Sequence, residues 1–275
     1  YFTVRDREFS KLAADWSLRT VAAPWPEAGV DAWVGLPGMN AVIRDMASRH
    51  SVEYGFFVKG LCRESNAWWI SGEHGMRGPF DAMVIATPSE QAAPLLSLHD
   101  FAMARLALEA RSQPCWSAMF AFASRVPFAS NILKDAGPIA WAARNNAKPN
   151  RGAAECWVVQ ANPTWSREHL EDDPARIETA LLIALQASVG AALPETVCSA
   201  AHRWRYALSS GSDTRTLWNG GLGLGVCGDW LIGPRVECAW LSGKELGEKI
   251  ADESLVCGPV ETGDLGPSLL FQHPS

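Results

Sequence analysis

The sequence lacks the features that mark disulfide scaffolds, membrane proteins and nucleic-acid-binding proteins. Its seven cysteines are scattered, odd in number and without a CxxC pair, which argues against a disulfide framework or a zinc site and fits a reducing cytoplasm. No apolar run reaches the roughly 20 residues that a membrane span needs, and no signal-peptide pattern opens the chain. The formal net charge is −6, which disfavours nucleic acid and anionic membranes as partners. We therefore expect a cytoplasmic protein.

The composition is that of an ordinary globular chain. Hydrophobic residues make up 48% and charged residues 20% of the 275 positions, enough for a large core in one or two domains. Thirteen tryptophans are many for this length, and most should fill the core and its margins.

Periodicity predicts alternating helices and strands. Helical spacing covers 8–20, begins again near Asn40 with Val42, Ile43 and Met46 inward, and forms the longest helix at about 175–190. A β-meander from residue 51 ends in the strand Ala82–Ala86, which is apolar throughout and is therefore expected to be buried on both faces.

A second sheet is predicted further along the chain. It should be mainly antiparallel, with strands at 114–123, 138–144, 155–161 and 202–207. Because strands of the two sheets interleave along the chain, the fold class is α/β with two domains that cross back and forth.

One glycine motif is misleading. Gly223, Gly225 and Gly228 match GxGxxG, but a dinucleotide fingerprint follows a strand and opens a helix immediately. Here the glycines bracket a strand, and the next helix is expected only near Val236. The match is better explained by chance in a chain with 23 glycines.

The segment that follows the strand points to a ligand. Gly228 allows close approach to the backbone, and Asp229 at a strand's end can accept hydrogen bonds from sugar-like hydroxyls. A helix N-terminus at Val236 would stabilise negative charge on a ring carbonyl or nitrogen. The residues alone leave open whether Asp229 does this or only caps a helix.

Several segments in order carry a family resemblance. They are YFTVRD, VGLPGMNAVIRDMA, FDAMVIATPSEQAAPLL, PCWSAMFAF, WAARNNAKP, WVVQANPTWSREHLE, AHRWRYA and CGDWLIGPRVECAWLSG. From residue 1 to about 252 the chain resembles the flavin-containing amine oxidase superfamily, and within it the bacterial renalase-like FAD-dependent oxidoreductases.

The resemblance implies site roles. Asp229, beside Gly228, would hold the ribityl–phosphate part of FAD, the Val236 amide would face the pyrimidine side of the flavin, and the Val58 backbone would contact the adenine. The positions implied at the substrate are Tyr1, Phe2, Thr3, Arg5 and Arg235. Two arginines suit a phosphate-bearing substrate because each donates bidentate hydrogen bonds.

The resemblance also implies an incomplete FAD/NAD(P)-binding-type domain interleaved with a mainly antiparallel α+β substrate domain. Family members open with a βαβ unit that holds the ADP half of FAD, and this sequence shows none, so a partner chain could supply it. We expect the remainder of the FAD domain at 37–96 and 217–252, the substrate domain at 1–36 and 97–216, and an irregular tail at 253–275.

The implied reaction is oxidation of isomeric dihydronicotinamide dinucleotides to NAD(P)⁺, with oxygen as electron acceptor. It needs no protein acid or base, so no catalytic side chain and no metal ligand is assigned. Two alternatives stay open. Oxidation of an amine would use the same flavin chemistry, and the missing unit is compatible with a non-catalytic fragment that binds no FAD.

Overall fold

The helices begin where short polar side chains can cap them. The computed structural model describes residues 1–256, with side chains through residue 253. Asp6 accepts hydrogen bonds from the Glu8 and Phe9 N–H groups, which satisfies donors that a helix start leaves free. The helices of the described chain are α1 Arg7–Leu18, α2 Ala41–Ala47, α3 Ser89–Leu96, α4 Phe101–Glu109, α5 Pro163–Glu168, α6 Pro174–Val189, α7 Asp229–Ile232 and α8 Val236–Val256.

The largest sheet is antiparallel throughout and confirms the predicted second sheet. Its spatial order is β12-β8-β11-β10-β9. Its strands are β8 Ser112–Phe122, β9 Ile132–Ala136, β10 Ile139–Arg144, β11 Glu155–Ala161 and β12 Thr196–Ser209. Ile177, Leu181 and Leu185 lie on one face of α6 and are buried against the sheet's aromatic side chains, as helical spacing predicts.

A separate small sheet contains the parallel pair. Its strands are β7 Met83–Ile85, β13 Leu217–Asn219 and β14 Leu224–Val226, in the order β13-β14-β7. β14 runs parallel to β7, and α8 packs on this sheet where Leu246 lies 3.0 Å from the position of a Cβ on Gly225. The apolar 82–86 segment and the strand within the glycine motif therefore belong to one sheet.

The expectation that the 82–86 strand is interior and buried on both faces is wrong. β7 is an edge strand among the described residues, and Val84 is 42% exposed between the buried Met83 and Ile85. α8 covers this face of the sheet at Gly225, the partner of Val84, but leaves Val84 itself accessible.

Two further three-stranded sheets complete the described chain. One has the order β1-β3-β2 and the other the order β4-β5-β6. Their strands are β1 Phe2–Thr3, β2 Ala22–Pro24, β3 Ala32–Gly35, β4 Val58–Glu64, β5 Ala67–Gly72 and β6 Gly75–Phe80. No helix of the described residues is long and apolar enough to cross a membrane.

Two local predictions need correction. Ile43 of α2 is 58% exposed, because this seven-residue helix buries Val42 and leaves the adjacent position outside. The predicted irregular tail begins too early, since α8 continues through Val256: no glycine or proline interrupts 248–256. Residues 257–275 lie outside the described residues.

Candidate flavin and substrate site

The carboxyl ends of the parallel strands meet at Thr87 and Gly228. The Gly228 N–H donates to Ser242 Oγ at 3.0 Å, which ties the turn to α8. A Cβ at Gly228 would come within 2.9 Å of the Trp230 ring, and the Trp230 indole N–H donates to the Thr87 carbonyl at 3.2 Å. Gly228 is therefore required by close packing at this edge.

Asp229 begins the short helix α7, directly after Gly228. The expectation that no helix starts before Val236 is thus wrong, although α7 has only four residues and the glycine motif still runs through β14. Gly228 holds the N-cap position of α7, and Asp229 lies in its first turn.

The Asp229 carboxyl is half-buried beside hydroxyl groups. Burial raises its pKa, while the Trp230 amide and the Ser209 hydroxyl act in the opposite direction. Ser209 Oγ is buried without a hydrogen bond of ordinary geometry, and so is Thr87 Oγ1. Buried hydroxyls without partners are uncommon, and the Asp229 carboxyl beside Ser209 has the chemistry to bind a polyhydroxyl ligand.

The first turn of α8 holds a carboxylate whose role the sequence did not reveal. Glu237 is 1% exposed, and its Oε1 accepts the N–H groups of Arg5 and Asp6 at 2.6 Å each. The positive end of the helix dipole stabilises a carboxylate here. Glu237 thereby fixes the chain after β1 against the start of α8, across a separation of 232 positions.

The structure brings Arg5 and Arg235 together around two carboxylates. Arg5 Nε donates to Asp31 Oδ2 at 2.6 Å, and Arg235 Nη1 lies 3.5 Å from Glu237 Oε2. The Arg5 guanidinium, and more weakly that of Arg235, hold the pKa of Asp31 below its usual value. Each arginine is therefore already paired with an acid.

The other residues of the opening segment have different surroundings. Phe2 is 3% exposed and packs edge-on against Phe9 and Trp16, which leaves only its backbone for a ligand. Thr3 Oγ1 is buried without a hydrogen-bond partner. Tyr1 is half-exposed, with its ring centroid 5.4 Å from that of Trp141.

Val58 and Val236 belong to different elements of the structure. Val236 is 42% exposed at the first position of α8, where helical amides lack intrahelical acceptors. Val58 begins β4, an edge strand of another sheet, opposite Gly72. None of the hydrogen bonds, ion pairs or ring contacts described for residues 1–253 joins Val58 to Asp229 or Val236.

Sequence reasoning missed Glu237, Thr87 and Ser209. An acidic residue in a predicted first helical turn was a usable signal for Glu237. No local pattern identifies an unpartnered hydroxyl, because its partners are decided by packing between distant segments.

Comparison with known proteins identifies the family of this chain. The model for flavin-containing amine oxidoreductases matches residues 25–244. The chain therefore belongs to that family, and its flavin cofactor is FAD.

Solved structures with the same fold include three oxidases. Cyclohexylamine oxidase from Brevibacterium oxydans IH-35A has a TM-score of 0.63 at 13% identity, over 82% of this chain and 55% of that one. A triple mutant of putrescine oxidase has a TM-score of 0.63 at 12% identity, over 85% of this chain and 56% of that one. A protein of Exiguobacterium sp. 255-15, provisionally described as a protoporphyrinogen oxidase, has a TM-score of 0.64 at 14% identity. The match covers 81% of this chain and 53% of that one. The chain thus spans about half the length of the structures it matches.

The residues at the strand edge fit the flavin part of FAD. Asp229 offers a half-buried carboxyl beside the Ser209 hydroxyl to a ribityl chain, and Thr87 Oγ1 is a buried hydroxyl without a partner. The α8 N-terminus offers amide donors to an electron-rich ring edge.

Proposed function

We propose that this chain provides the flavin-ring part of the site in an FAD-dependent oxidoreductase that oxidises isomeric dihydronicotinamide dinucleotides to NAD(P)⁺. The observation that supports this is the pair of hydrogen bonds from the Arg5 and Asp6 amides to Glu237. They hold the implied substrate segment, Tyr1 to Arg5, against the helix start that would face the flavin. The substrate and the flavin ring would then be bound next to each other.

Binding and orientation are the contributions of the protein's own residues. Gly228 and Asp229 would hold the ribityl–phosphate part, Val236 the pyrimidine edge, and the Val58 backbone the adenine. FAD, when bound, supplies the acceptor for a hydride and delivers two electrons to oxygen. The dihydronicotinamide, oxygen and one proton give the oxidised nicotinamide and hydrogen peroxide, so no protein acid or base is required.

On the substrate side, the Arg5 amide and the Arg235 guanidinium both contact Glu237 in the first turn of this helix. Arg5 and Arg235 would have to exchange Asp31 and Glu237 for substrate phosphates. The 60% exposure of the Arg5 side chain makes its exchange inexpensive, because exposed ion pairs are weak. Glu237 is buried, and it would keep its two backbone donors when Arg235 turns to the substrate.

Amine oxidation is the second candidate. Asp31 and Glu237 neutralise the two arginines, which reduces the electrostatic objection to a cationic substrate. Two of the similar structures are named as oxidases of cyclohexylamine and putrescine. A non-catalytic chain is the third candidate.

Anaerobic flavin reduction distinguishes these candidates. The protein is mixed with excess FAD, then with an isomeric dihydronicotinamide dinucleotide, a phosphate-free dihydronicotinamide or a primary amine, and loss of flavin absorbance is followed. We expect the dinucleotide to reduce the flavin. Oxygen that is admitted afterwards should reoxidise the flavin and yield hydrogen peroxide. Arg235→Ala should slow flavin reduction by the dinucleotide about tenfold or more, as for loss of a charge-assisted hydrogen bond. It should slow flavin reduction by the phosphate-free compound far less.

Other results overturn the proposal. Reduction by the amine alone would assign the chain to amine oxidation. Flavin that is bound but reduced by none of the three compounds would favour the non-catalytic chain. Equal losses for both dihydronicotinamides in Arg235→Ala would remove Arg235 from substrate recognition.

A further inference from the structure

A second cluster of buried polar groups lies where β3 meets β10, outside the site described above. Lys148 is 7% exposed and donates to Asn145 Oδ1 at 3.1 Å. This is the single hydrogen bond of the ammonium group among the described residues, although an ammonium has three donors. Two of its N–H bonds are therefore available to a ligand.

The positive charge of this cluster is not neutralised. Within the described side chains, no carboxylate lies at ion-pair distance from Lys148 or from Arg151, whereas the buried Arg144 pairs with Glu155 at 2.9 Å. Arg151 instead donates to the carbonyl groups of Gly35 and Pro37. Burial, together with the charge of Arg151, lowers the pKa of Lys148 to about 8, which reflects this lack of an anion.

Two indole N–H groups lie buried beside these cations without acceptors. They belong to Trp25, which is 2% exposed, and to Trp141. The ring centroids are 6.3 Å apart, and Lys148 Nζ is 5.5 Å from the first and 5.9 Å from the second. An indole nitrogen can only donate, so every unused polar group of the cluster is a donor.

We propose that Lys148, Arg151, Trp25 and Trp141 form a subsite for an anionic oxygen group, a carboxylate or a phosphate, of the substrate. Such a group satisfies unpaired donors and neutralises buried charge in one step, whereas an amine would add a third cation. The Tyr1 ring packs against both indoles, with centroids 6.0 and 5.4 Å away. The subsite therefore adjoins the implied substrate segment, and its assignment to the substrate rests on the proposed function.

The unfolding temperature of one variant distinguishes a ligand-binding role of Lys148 from a purely structural role. A buried cation without an anion costs stability, so Lys148→Met, which keeps the apolar stem and removes the charge, should fold and unfold at an equal or higher temperature. If Lys148 instead serves the fold through its contacts with the two indole faces, the same change lowers the unfolding temperature.

Calorimetry without FAD tests the subsite directly. Inorganic pyrophosphate and benzoate are titrated separately into the protein at matched ionic strength, which distinguishes a phosphate from a carboxylate ligand. We expect one of them to bind, and Lys148→Met to weaken it about 10- to 100-fold, as for one lost charge-assisted hydrogen bond. Trp25→Phe and Trp141→Phe, which keep the ring and remove the N–H, should each weaken it about 3- to 10-fold.

Controls separate this inference from the proposed function. Lys148→Arg should retain binding, and Lys59→Met, at an exposed lysine paired with Glu73, should bind as the parent does. Absence of binding by both anions, or equal binding by the parent and Lys148→Met, overturns the inference even if dihydronicotinamides are oxidised. Anion binding without such oxidation keeps the subsite and removes the proposed reaction.

Discussion

At the scale of single residues, Glu237 joins two parts of the chain that are distant in sequence. It accepts two backbone N–H groups from the segment after β1 and contacts Arg235 with its other oxygen. Few side chains elsewhere in the described chain combine burial, charge and contacts over this sequence distance. Its removal should therefore affect both stability and the position of the implied substrate segment.

We predict that Glu237→Ala lowers the free energy of unfolding by about 2–3 kcal/mol, because two donors lose a charged acceptor. Urea denaturation measures this. Glu248→Ala is the matched control, since Glu248 is exposed on the same helix and pairs with Lys244, and it should change the free energy by less than about 1 kcal/mol. Similar losses for the two variants would contradict the role given to Glu237.

At the scale of elements, the antiparallel sheet contains a buried ion pair between β10 and β11. The Arg144 and Glu155 side chains are 1% and 7% exposed, and Glu155 also accepts the Trp157 indole N–H at 3.0 Å. Burial raises the pKa of Glu155, but its hydrogen bonds outweigh burial and leave the pKa below the usual value. The carboxylate is thus held ionised inside the sheet.

We predict that Glu155→Gln costs about 3–5 kcal/mol, because it leaves the Arg144 charge buried and unpaired. Since the folded pKa of Glu155 lies below its unfolded pKa, the parent's advantage is complete above the unfolded value and decreases as pH falls toward the folded one. Urea denaturation at neutral and acidic pH measures both effects. Glu109→Gln, in an exposed pair with Arg105, is the control. A loss that does not diminish toward acidic pH would contradict this account.

At the scale of the whole molecule, the residues proposed for the flavin ring and the residue proposed for the adenine, Val58, belong to different elements. The parallel strands described here are β7 and β14, and the nearby glycine motif runs through β14 to a four-residue helix. That arrangement lacks the long helix N-terminus on which a pyrophosphate is normally bound.

We predict that this chain binds FAD weakly and not much more tightly than FMN, which lacks the adenosine part. A charge-assisted hydrogen bond contributes roughly 1.5–3 kcal/mol, so a ligand that makes several fewer of them binds more weakly by orders of magnitude. Retained flavin absorbance after desalting, with FAD and FMN compared, tests this. If the chain binds FAD stoichiometrically with submicromolar affinity and binds FMN much more weakly, residues of this chain hold the ADP half of FAD.

The sequence by itself determined the longer elements and the family. Helical spacing located α6 and its buried face, alternation located the strands of the large sheet, and the ordered segments identified the flavoprotein family, because these signals are local along the chain. Only the tertiary structure decided that Val84 is accessible, that α7 follows Gly228, and that Phe2 belongs to the core. It also placed Glu237 on the Arg5 and Asp6 amides and left Lys148 without an anion. Exposure and partners depend on which distant segments pack together, and residue order does not carry that information locally.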